Sequence, residues 1–470
     1  MSEDFLDKIE ELVDQEKYEL ALSRLKEKSS KMKDSAYYFY LCGFCSFRLD
    51  FFEQAIFFYQ KAISIDPSDE FSYSDMAFIL SLLSRFDEAL FMIKKALSQT
   101  PGDLIHLERL GIIELGRGKV ESAISTFEVM LKVGDEDADI HYYLGDCYFE
   151  QNDFERAIIE YNLCLELESN HKNALMAKAM CYEWLDSLKE SILCYETLLS
   201  DEAEGEDLFE IMISLAMCYF RDDRVKESIA TYEKVLKLKP SSYLALNNLG
   251  FIYLEKKDWE SSIFYLKKAL VIQCEFNALY NLGRCYFHLN KLEDAEEMLK
   301  LGVLYTHDKI SLSLINFYLA RVYINKKQLV RAYNCGQKSI QLGYIDPEIY
   351  LLFLEVAEQL DRTEKALTFI SKIRPKPKEL YHSLFLYYMG RNNLDFALKS
   401  VNSALKKYKD SAVFYYYKAS IFSLKQNVNV AINNLLKAVE IDEKYIALSK
   451  KNICFKNLWD DPKYLLNFPS

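Results

Sequence analysis

Hydrophobic and polar positions along this chain follow a pattern that repeats about every 34 residues. Each repeat has an apolar stretch with helical spacing, a short polar turn, and a second apolar stretch with one small residue at a fixed place. That residue is always Ala or Ser, at Ala21, Ala55, Ala89, Ala123, Ala157, Ser191, Ser228, Ser262, Ala295, Ala332, Ala366, Ala397 and Ala431. A period of this length predicts a solenoid of stacked two-helix units.

Further positions of the repeat carry side chains of matching size. When residues are counted from the start of each unit, the small residue above is position 20, and position 8 is also small in most units, as at Gly43 and Gly145. Positions 11 and 24 often carry tyrosine, as at Tyr148 and Tyr161. We expect the small residues to let paired helices approach closely and the aromatic rings to fill the remaining space.

Thirteen such units cover residues 2 to about 445. An N-terminal array over 2–199 has units beginning near 2, 36, 70, 104, 138 and 172, and a C-terminal array over 209–445 has units beginning near 209, 243, 276, 313, 347, 378 and 412. Residues 200–208 form an acidic insertion that is either a hinge or a passive loop, and the link near 306–311 leaves the same alternatives. Residues 446–470 break the period, which predicts a capping helix and a tail.

The pattern resembles the tetratricopeptide repeat family, whose signature is a small residue at position 8, Tyr at 11, a small residue at 20, an aromatic residue at 24 and Pro at 32, as at Pro67, Pro101 and Pro240. The resemblance implies an all-α fold: a right-handed α-solenoid superhelix of about thirteen helix pairs with a C-terminal capping helix. Short helices are not stable alone, so each unit depends on its neighbours.

The resemblance also implies a binding surface, because ligands of this family lie on the concave face, lined by positions 2, 5, 9 and 12 of each first helix. The candidates for partner binding are Tyr37, Tyr40, Phe44, Phe78, Tyr142, Met176, Met180, Met217, Phe220, Asn247, Phe251, Asn277, Tyr280, Arg284, Phe317 and Arg321. A largely apolar surface with adaptable methionines suits an amphipathic or extended apolar segment of a partner protein. The alternative is that a tightly wound superhelix buries these residues against itself.

Polar residues interrupt this apolar surface in the C-terminal array. Arg284 and Arg321 are equivalent residues of adjacent units, so they could jointly bind a carboxylate. The alternatives are that both arginines are exposed surface residues without a binding role, or that they pair with acidic residues of the chain itself. The Lys and Asn positions with which co-chaperones of the family clamp a C-terminal carboxylate are not matched, and the asparagine ladder of the glycosyltransferase arrays is present only at Asn248 and Asn281.

Composition narrows the classes of partner. The net charge of −13 and the isoelectric point near 5.2 predict repulsion from nucleic acid and from anionic membranes. The sequence has no apolar run long enough to span a bilayer, and its acidic, amphipathic start does not match a secretory signal. These features predict a cytoplasmic protein without membrane insertion.

The sequence contains only weak matches to catalytic, metal-binding or phosphate-binding motifs. Cys42 and Cys45 form a CxxC pair, which either packs in the core or serves a metal or redox site, and no second pair completes four zinc ligands. The stretch from Gly111 to Lys119 superficially resembles a phosphate loop but has no Ser or Thr after the lysine. The six histidines are dispersed over separate units. The sequence therefore predicts no catalytic residues, no cofactor and no metal.

Two functions remain from this reasoning. The first is a non-enzymatic scaffold or adaptor that binds a segment of a partner polypeptide in the concave groove. The second is a structural subunit that self-associates within a larger assembly, so a homo-oligomer is possible. An enzymatic function ranks below both, because no constellation of residues supports it.

Overall fold

The computed structural model describes residues 3–27, 34–133, 137–200, 205–344 and 346–468, with side chains at all of these except 3, 4 and 205–207. Within these ranges the chain consists of helices joined by turns and short links, without a strand. The chain divides into two compact units, residues 1–231 and residues 232–470.

The helices of the first unit form consecutive antiparallel pairs along the chain, each packed against its neighbours. They are α1 (Glu3–Asp14), α2 (Tyr18–Glu27), α3 (Ala36–Arg48), α4 (Phe52–Ile65), α5 (Glu70–Leu82), α6 (Phe86–Gln99), α7 (Leu104–Gly116), α8 (Val120–Val133), α9 (Ala138–Glu150), α10 (Phe154–Leu167), α11 (Lys172–Trp184), α12 (Leu188–Ser200) and α13 (Gly205–Arg221). Helix α14 (Val225–Leu238) contains the boundary between the units.

The second unit continues the same arrangement. Its helices are α15 (Tyr243–Glu255), α16 (Trp259–Ile272), α17 (Phe276–His288), α18 (Leu292–Leu304), α19 (Lys309–Asn325), α20 (Leu329–Gln341), α21 (Pro347–Gln359), α22 (Thr363–Ser371), α23 (Lys378–Gly390), α24 (Leu394–Lys407), α25 (Ala412–Leu424), α26 (Val428–Ile441), α27 (Lys444–Lys451), a 3₁₀ helix η1 (Ile453–Leu458) and α28 (Pro462–Asn467). The predicted all-α solenoid of helix pairs is confirmed.

Small residues at positions 8 and 20 determine how closely the two helices of a pair approach. The Ala or Ser at position 20 has no solvent-exposed surface in any of the thirteen described units. A Cβ atom added at Gly43 would lie 2.7 Å from Cε1 of Tyr59, and one added at Gly111 would lie 2.7 Å from Cε1 of Phe127. Position 8 is therefore small because the ring at position 24 of the second helix occupies the space beside it.

The turn inside each pair uses a left-handed residue at position 15. Twelve described turns place a residue other than glycine there, among them Asp50, Lys257 and Gln426, each with φ near +60°. The thirteenth turn uses Gly118, with φ of +71°. Because the left-handed region ends the first helix and reverses the chain at once, the second helix begins only a few residues later.

Both predicted insertions border a lengthened first helix. Helices α13 and α19 have 17 residues each, compared with 13 in α15 and α17. The extra residues thus continue as an additional helical turn at the N-terminal end. Residues 201–204 of the acidic insertion lie outside the described residues, and its role as a hinge stays a prediction.

The C-terminal segment is more structured than a capping helix with a tail. After α27, the helices η1 and α28 place Phe455, Leu458, Tyr464 and Phe468 in the core next to α25 and α26. The hydroxyl of Ser423 donates to Oδ1 of Asn457, and Nδ2 of Asn457 donates to the carbonyl oxygen of Ser423 at 2.7 Å. The segment covers the apolar side of the last helix pair.

Among the described residues, none of the helices combines the length and the apolar character needed to cross a bilayer.

Candidate binding surfaces on the first helices

The first helix of each pair presents positions 2, 5, 9 and 12 on one side, which we call the first-helix surface. Sixteen residues of this surface were predicted to contact a partner, and their exposure varies widely. Tyr37, Met180 and Asn277 are exposed, whereas Asn247 and Phe317 are buried, with 7% and 3% of their surface exposed. The half-buried ones are Tyr40, Phe44, Phe78, Tyr142, Met176, Met217, Phe220, Phe251, Tyr280, Arg284 and Arg321.

Aromatic side chains of α3 form a row along this surface. The rings of Tyr37 and Tyr40 stack with centroids 6.0 Å apart, and those of Tyr40 and Phe44 stack at 6.4 Å. The hydroxyl of Tyr37 donates to Glu10 at 2.5 Å. A cleft of about 470 Å³ lies between Tyr37 and Tyr40 on one side and Phe71 on the other. The row is thus held in one orientation by ring contacts.

Tyrosines at position 24 connect the core to the first-helix surface. Their rings are fully buried, yet the hydroxyls of Tyr59, Tyr161 and Tyr195 each reach a carboxylate of a first helix. Tyr161 donates to Oδ1 of Asp146 at 2.7 Å, and Tyr195 donates to Oε1 of Glu183 at 2.6 Å. Buried phenols that donate to carboxylates fix the position of those acids.

Arg109 completes a similar network in α5 and α7. Its Nη1 donates to Oγ of Ser74 and to Oδ1 of Asp75, both at 2.7 Å, and its guanidinium lies 5.5 Å from the centroid of the Phe78 ring. Tyr59 also donates to Asp75, at 3.1 Å. The sequence reasoning missed Arg109 and Asp75, although opposite charges at position 6 of adjacent units were a usable signal.

A cleft lies between α9 and α11 of the first unit, and we call it the Tyr142 cleft. It has a volume of about 610 Å³ and contains three of the predicted residues, Tyr142, Met176 and Met180. Phe149 completes its apolar wall, and Asp146 lies at its base beside the ring of Tyr161. The cleft combines apolar walls with two acids, Asp146 and Glu150, which is the usual composition of a ligand site.

The acid of this cleft that bonds to Tyr161, Asp146, is half-buried. Burial raises the pKa of Asp146 above its usual range, although hydrogen bonds from Tyr161 and Tyr142 favour the carboxylate and oppose this rise. The pKa of Tyr142 is also raised, mainly by burial and to a smaller extent by the negative charge of Asp146. The phenols therefore stay protonated as donors, and the acid would gain from a positive charge on a ligand.

The second unit places two arginines around one tyrosine. The guanidinium of Arg284 lies 5.7 Å from the centroid of the Tyr318 ring, and that of Arg321 lies 5.4 Å from it. Arg321 also lies 4.8 Å from the ring centroid of Phe287, and Tyr280 meets Tyr318 edge to face at 5.5 Å. This arginine–aromatic cluster is formed by the first helices α17 and α19.

Both arginines also contact acids of the chain, which is one of the alternatives drawn from the sequence. Nη2 of Arg284 donates to Oε1 of Glu255 at 3.0 Å, and Nε of Arg321 lies 3.7 Å from Oε1 of Glu348. Nε of Arg284 is buried without a hydrogen-bond partner, as is Oδ1 of Asn247. The cluster thus retains an unused donor beneath partly exposed arginines.

The cysteine pair and the glycine-rich stretch lie in the helical framework. Cys42 and Cys45 are buried in α3, and burial raises the pKa of Cys42 to about 12 and that of Cys45 to about 11. Gly111 lies inside α7, and Gly118 lies in the turn that follows it. Across the ranges that the structure describes, no group of three His, Cys, Asp or Glu side chains is arranged to hold a metal ion.

Two family models described as tetratricopeptide repeat match this chain. One covers residues 108–167, and the other covers residues 37–69, 209–242, 243–273 and 276–305. These segments coincide with helix pairs in which small residues at positions 8 and 20 set the packing. The chain is a tetratricopeptide repeat protein. Tetratricopeptide repeat proteins generally mediate protein–protein interactions and are typically non-enzymatic scaffolds.

Solved structures of two proteins align with parts of this tetratricopeptide repeat protein. A chain described as "MamA RS-1 ArsTM double mutant" is 19% identical, with 36% of this chain and 94% of that chain covered and a TM-score of 0.32. A chain described as "Crystal structure of YrrB: a TPR protein with an unusual peptide-binding site" is 21% identical, with 40% of this chain and 95% of that chain covered and a TM-score of 0.32.

Proposed function

We propose that this tetratricopeptide repeat protein is a non-enzymatic adaptor that binds a segment of a partner polypeptide on its first-helix surface. The Tyr142 cleft carries the proposal. Three of the residues predicted from the sequence, Tyr142, Met176 and Met180, line this open cavity of about 610 Å³. A cytoplasmic location, predicted from the sequence, remains part of this proposal.

The lining of the cleft indicates what such a segment would contain. Met176 and Met180 are flexible apolar side chains that can adapt to an aliphatic or aromatic group. Asp146 and Glu150 supply negative charge at the same place. We therefore expect an amphipathic or extended segment with an apolar anchor and a neighbouring Lys or Arg.

A charge introduced at the mouth of the cleft tests this function. Met180 is 42% exposed, so Met180→Asp should leave folding intact while placing an ionised carboxylate against the apolar anchor. The protein is used as bait for co-purification from its native cell, followed by mass spectrometry. We expect proteins recovered with the parent to be lost with Met180→Asp.

Leu167→Asp is the matched control, because Leu167 is 50% exposed at the end of the second helix α10 of the neighbouring repeat and does not line the cleft. Recovery that is equal for the parent and Met180→Asp would count against binding in the cleft. Loss with both variants would indicate a general effect of added negative charge.

A self-associating structural subunit is the second candidate function, and a row of exposed apolar residues favours it. In four repeats position 22 of the second helix carries Phe57, Phe91, Ile159 and Leu193, which are 50%, 58%, 57% and 64% exposed, and Ser125 occupies it in the repeat between Phe91 and Ile159. Apolar side chains this exposed are typical of interaction surfaces when they recur on one face. Sedimentation of the parent and of Phe91→Lys/Leu193→Lys distinguishes the two functions, because only self-association predicts a concentration-dependent mass that the double variant abolishes.

A further inference from the structure

A second cleft, in the second unit, differs from the first-helix surface in both location and charge. It has a volume of about 600 Å³ and lies where the link 372–377 passes the ends of α20, α22 and α24. Four basic residues line it: Lys372, Arg374, Lys376 and Lys407. We call it the basic cleft. No residue of the predicted site belongs to it.

The basic residues of this cleft are not neutralised by the chain. Within the described part of the structure, Lys372, Arg374, Lys376 and Lys407 form no ion pair with a carboxylate. By contrast, Arg284 on the first-helix surface is paired with Glu255. In a protein of net charge −13, uncompensated cations gathered around one cavity are a local exception.

Hydrogen bonds to backbone carbonyl oxygens hold two of these cations in place. Nη1 of Arg374 donates to the carbonyl oxygens of Ser371 at 2.6 Å and Ile373 at 2.7 Å. Nζ of Lys407 donates to the carbonyl oxygen of Lys376 at 2.8 Å, which also accepts a bond from the hydroxyl of Tyr408 at 2.9 Å. Because these acceptors are neutral, both side chains are positioned while their charge stays available.

Apolar and aromatic surface fills the space between the charges. Phe369, Tyr408, Pro375 and Pro377 line the same cleft, together with Tyr350. Burial and, to a smaller extent, the negative charge of Glu379 raise the pKa of Tyr350 to about 12. The cleft therefore offers cations at its rim and apolar contacts within it.

We propose that the basic cleft binds an acidic polypeptide segment of a partner protein, in which Asp or Glu residues alternate with apolar residues. Carboxylates would pair with Arg374 and Lys407, and the apolar side chains between them would contact Phe369, Tyr408 and the prolines. A peptide fits better than nucleic acid because a short segment with a few carboxylates is repelled less by the negative protein than a backbone with a phosphate at every nucleotide, and because its apolar residues match the lining of the cleft. This site is separate from the proposed first-helix surface and does not depend on it.

Fluorescence anisotropy of labelled probes with the full chain tests the proposal. The probes are a short peptide of alternating Glu and Leu, the same peptide with Gln in place of Glu, and a short oligothymidylate. We expect the Glu peptide to bind at low salt, the Gln peptide to bind at least several-fold more weakly, and affinity to fall as salt is raised.

Two sets of variants locate the binding. Arg374→Gln/Lys407→Gln should weaken the Glu peptide about tenfold, since two exposed ion pairs are lost. Lys406→Gln is the matched control, because Lys406 precedes Lys407 on α24 and does not line the cleft. Tyr280→Ala on the first-helix surface should leave the affinity unchanged, which separates this site from the proposed function. Unchanged melting curves confirm that the variants are folded.

Three results would overturn the proposal. The first is failure of the Glu peptide to bind at low salt, and the second is an equal loss of affinity in Lys406→Gln and in the double variant. The third is tighter binding of oligothymidylate than of the Glu peptide, with the same dependence on Arg374 and Lys407, because the cleft would then be a single-stranded nucleic-acid site.

Discussion

Gly145 in α9 and Tyr161 in α10 fit together so closely that a Cβ atom at residue 145 would lie 2.6 Å from Cδ1 of the tyrosine ring. The same ring is fully buried, and its hydroxyl donates to Asp146. One tyrosine therefore sets the spacing of a helix pair and also holds the acid at the base of the Tyr142 cleft.

We predict that Gly145→Ala destabilises the protein, because the added methyl group overlaps the fully buried ring of Tyr161, which must shift to make room for it. The cost is expected to be about 1–3 kcal/mol. Urea denaturation followed by circular dichroism measures it. Gly390→Ala is the matched control, since a Cβ atom at Gly390 would meet nothing within 4 Å. An equal effect of the two substitutions would refute this account of the packing.

Removing only the hydroxyl of Tyr161 should lower the unfolding free energy less than Gly145→Ala does, and it should also weaken partner binding. Tyr161→Phe keeps the ring that fills the space beside Gly145 but removes the bond to Asp146. We expect a loss of about 1 kcal/mol in unfolding free energy, together with weaker binding of any partner that uses Asp146. Phe127 occupies the equivalent place in the preceding repeat, so the fold itself tolerates phenylalanine there. A variant as stable as the parent would show that the hydrogen bond does not matter for folding.

The left-handed residue of each turn gives a prediction that is independent of packing. Gly118 has φ of +71° and Gly390 lies at the end of helix α23, and a Cβ atom would meet no neighbour at either place. Gly118→Ala should therefore lower the unfolding free energy by about 1 kcal/mol, because alanine is strained in the left-handed region. Gly390→Ala should raise it by up to about 1 kcal/mol, because alanine favours the helix. Thermal melts of the two variants should move in opposite directions, and a shift in the same direction would contradict the assignment.

The repeat could be predicted from the sequence because each unit solves the same local packing problem. Position 20 is Ala or Ser throughout, and the structure shows why these two residues interchange. The hydroxyls of Ser228 and Ser262 donate at 2.6 Å to the carbonyl oxygens of Ala216 and Gly250, which are position 8 residues of the partner helices. At these two places serine fits as alanine does elsewhere, since its hydroxyl has an acceptor within the pair, whereas the hydroxyl of Ser191 lies 3.5 Å from Sγ of Cys218 in the next repeat.

The C-terminal segment could not be predicted in the same way, because it occurs once and follows no period. Its helices are short, and Phe455 and Phe468 are buried because they pack against the last helix pair, α25 and α26. Sequence patterning alone predicted a cover for the last pair. It did not show that two further short helices would form beyond the first.

The repeat positions predicted which residues share the first-helix surface, but they did not predict which side chains contact each other there. Position numbers placed Tyr142, Met176 and Met180 on one surface, where the structure forms a cleft. The pairing of Arg284 with Glu255 depends on the conformations of two long side chains from different units, which the pattern does not encode. The basic cleft did leave a signal, the run from Lys372 to Lys378 with four basic residues in seven, but it lies in a link outside the repeat positions.

Buried His106 gives the final prediction, a dependence of stability on pH. Only 1% of its surface is exposed, neither ring nitrogen has a hydrogen-bond partner, and its ring meets Phe71 edge to face at 6.2 Å. Burial lowers the pKa of His106 below 6.5, and the nearby charge of Asp103 opposes this only in part. The unfolded chain therefore binds a proton at this residue at a higher pH than the folded chain does, and folding loses stability as the pH falls below 6.5.

His106→Phe keeps the ring and removes the titration, and the carboxylates that titrate in both proteins cancel in the difference. We expect the unfolding free energy of the parent minus that of the variant to be constant above pH 7 and to fall between pH 6.5 and 5. Parallel curves over that range, measured by urea denaturation, would show that His106 stays as basic in the fold as in the unfolded chain.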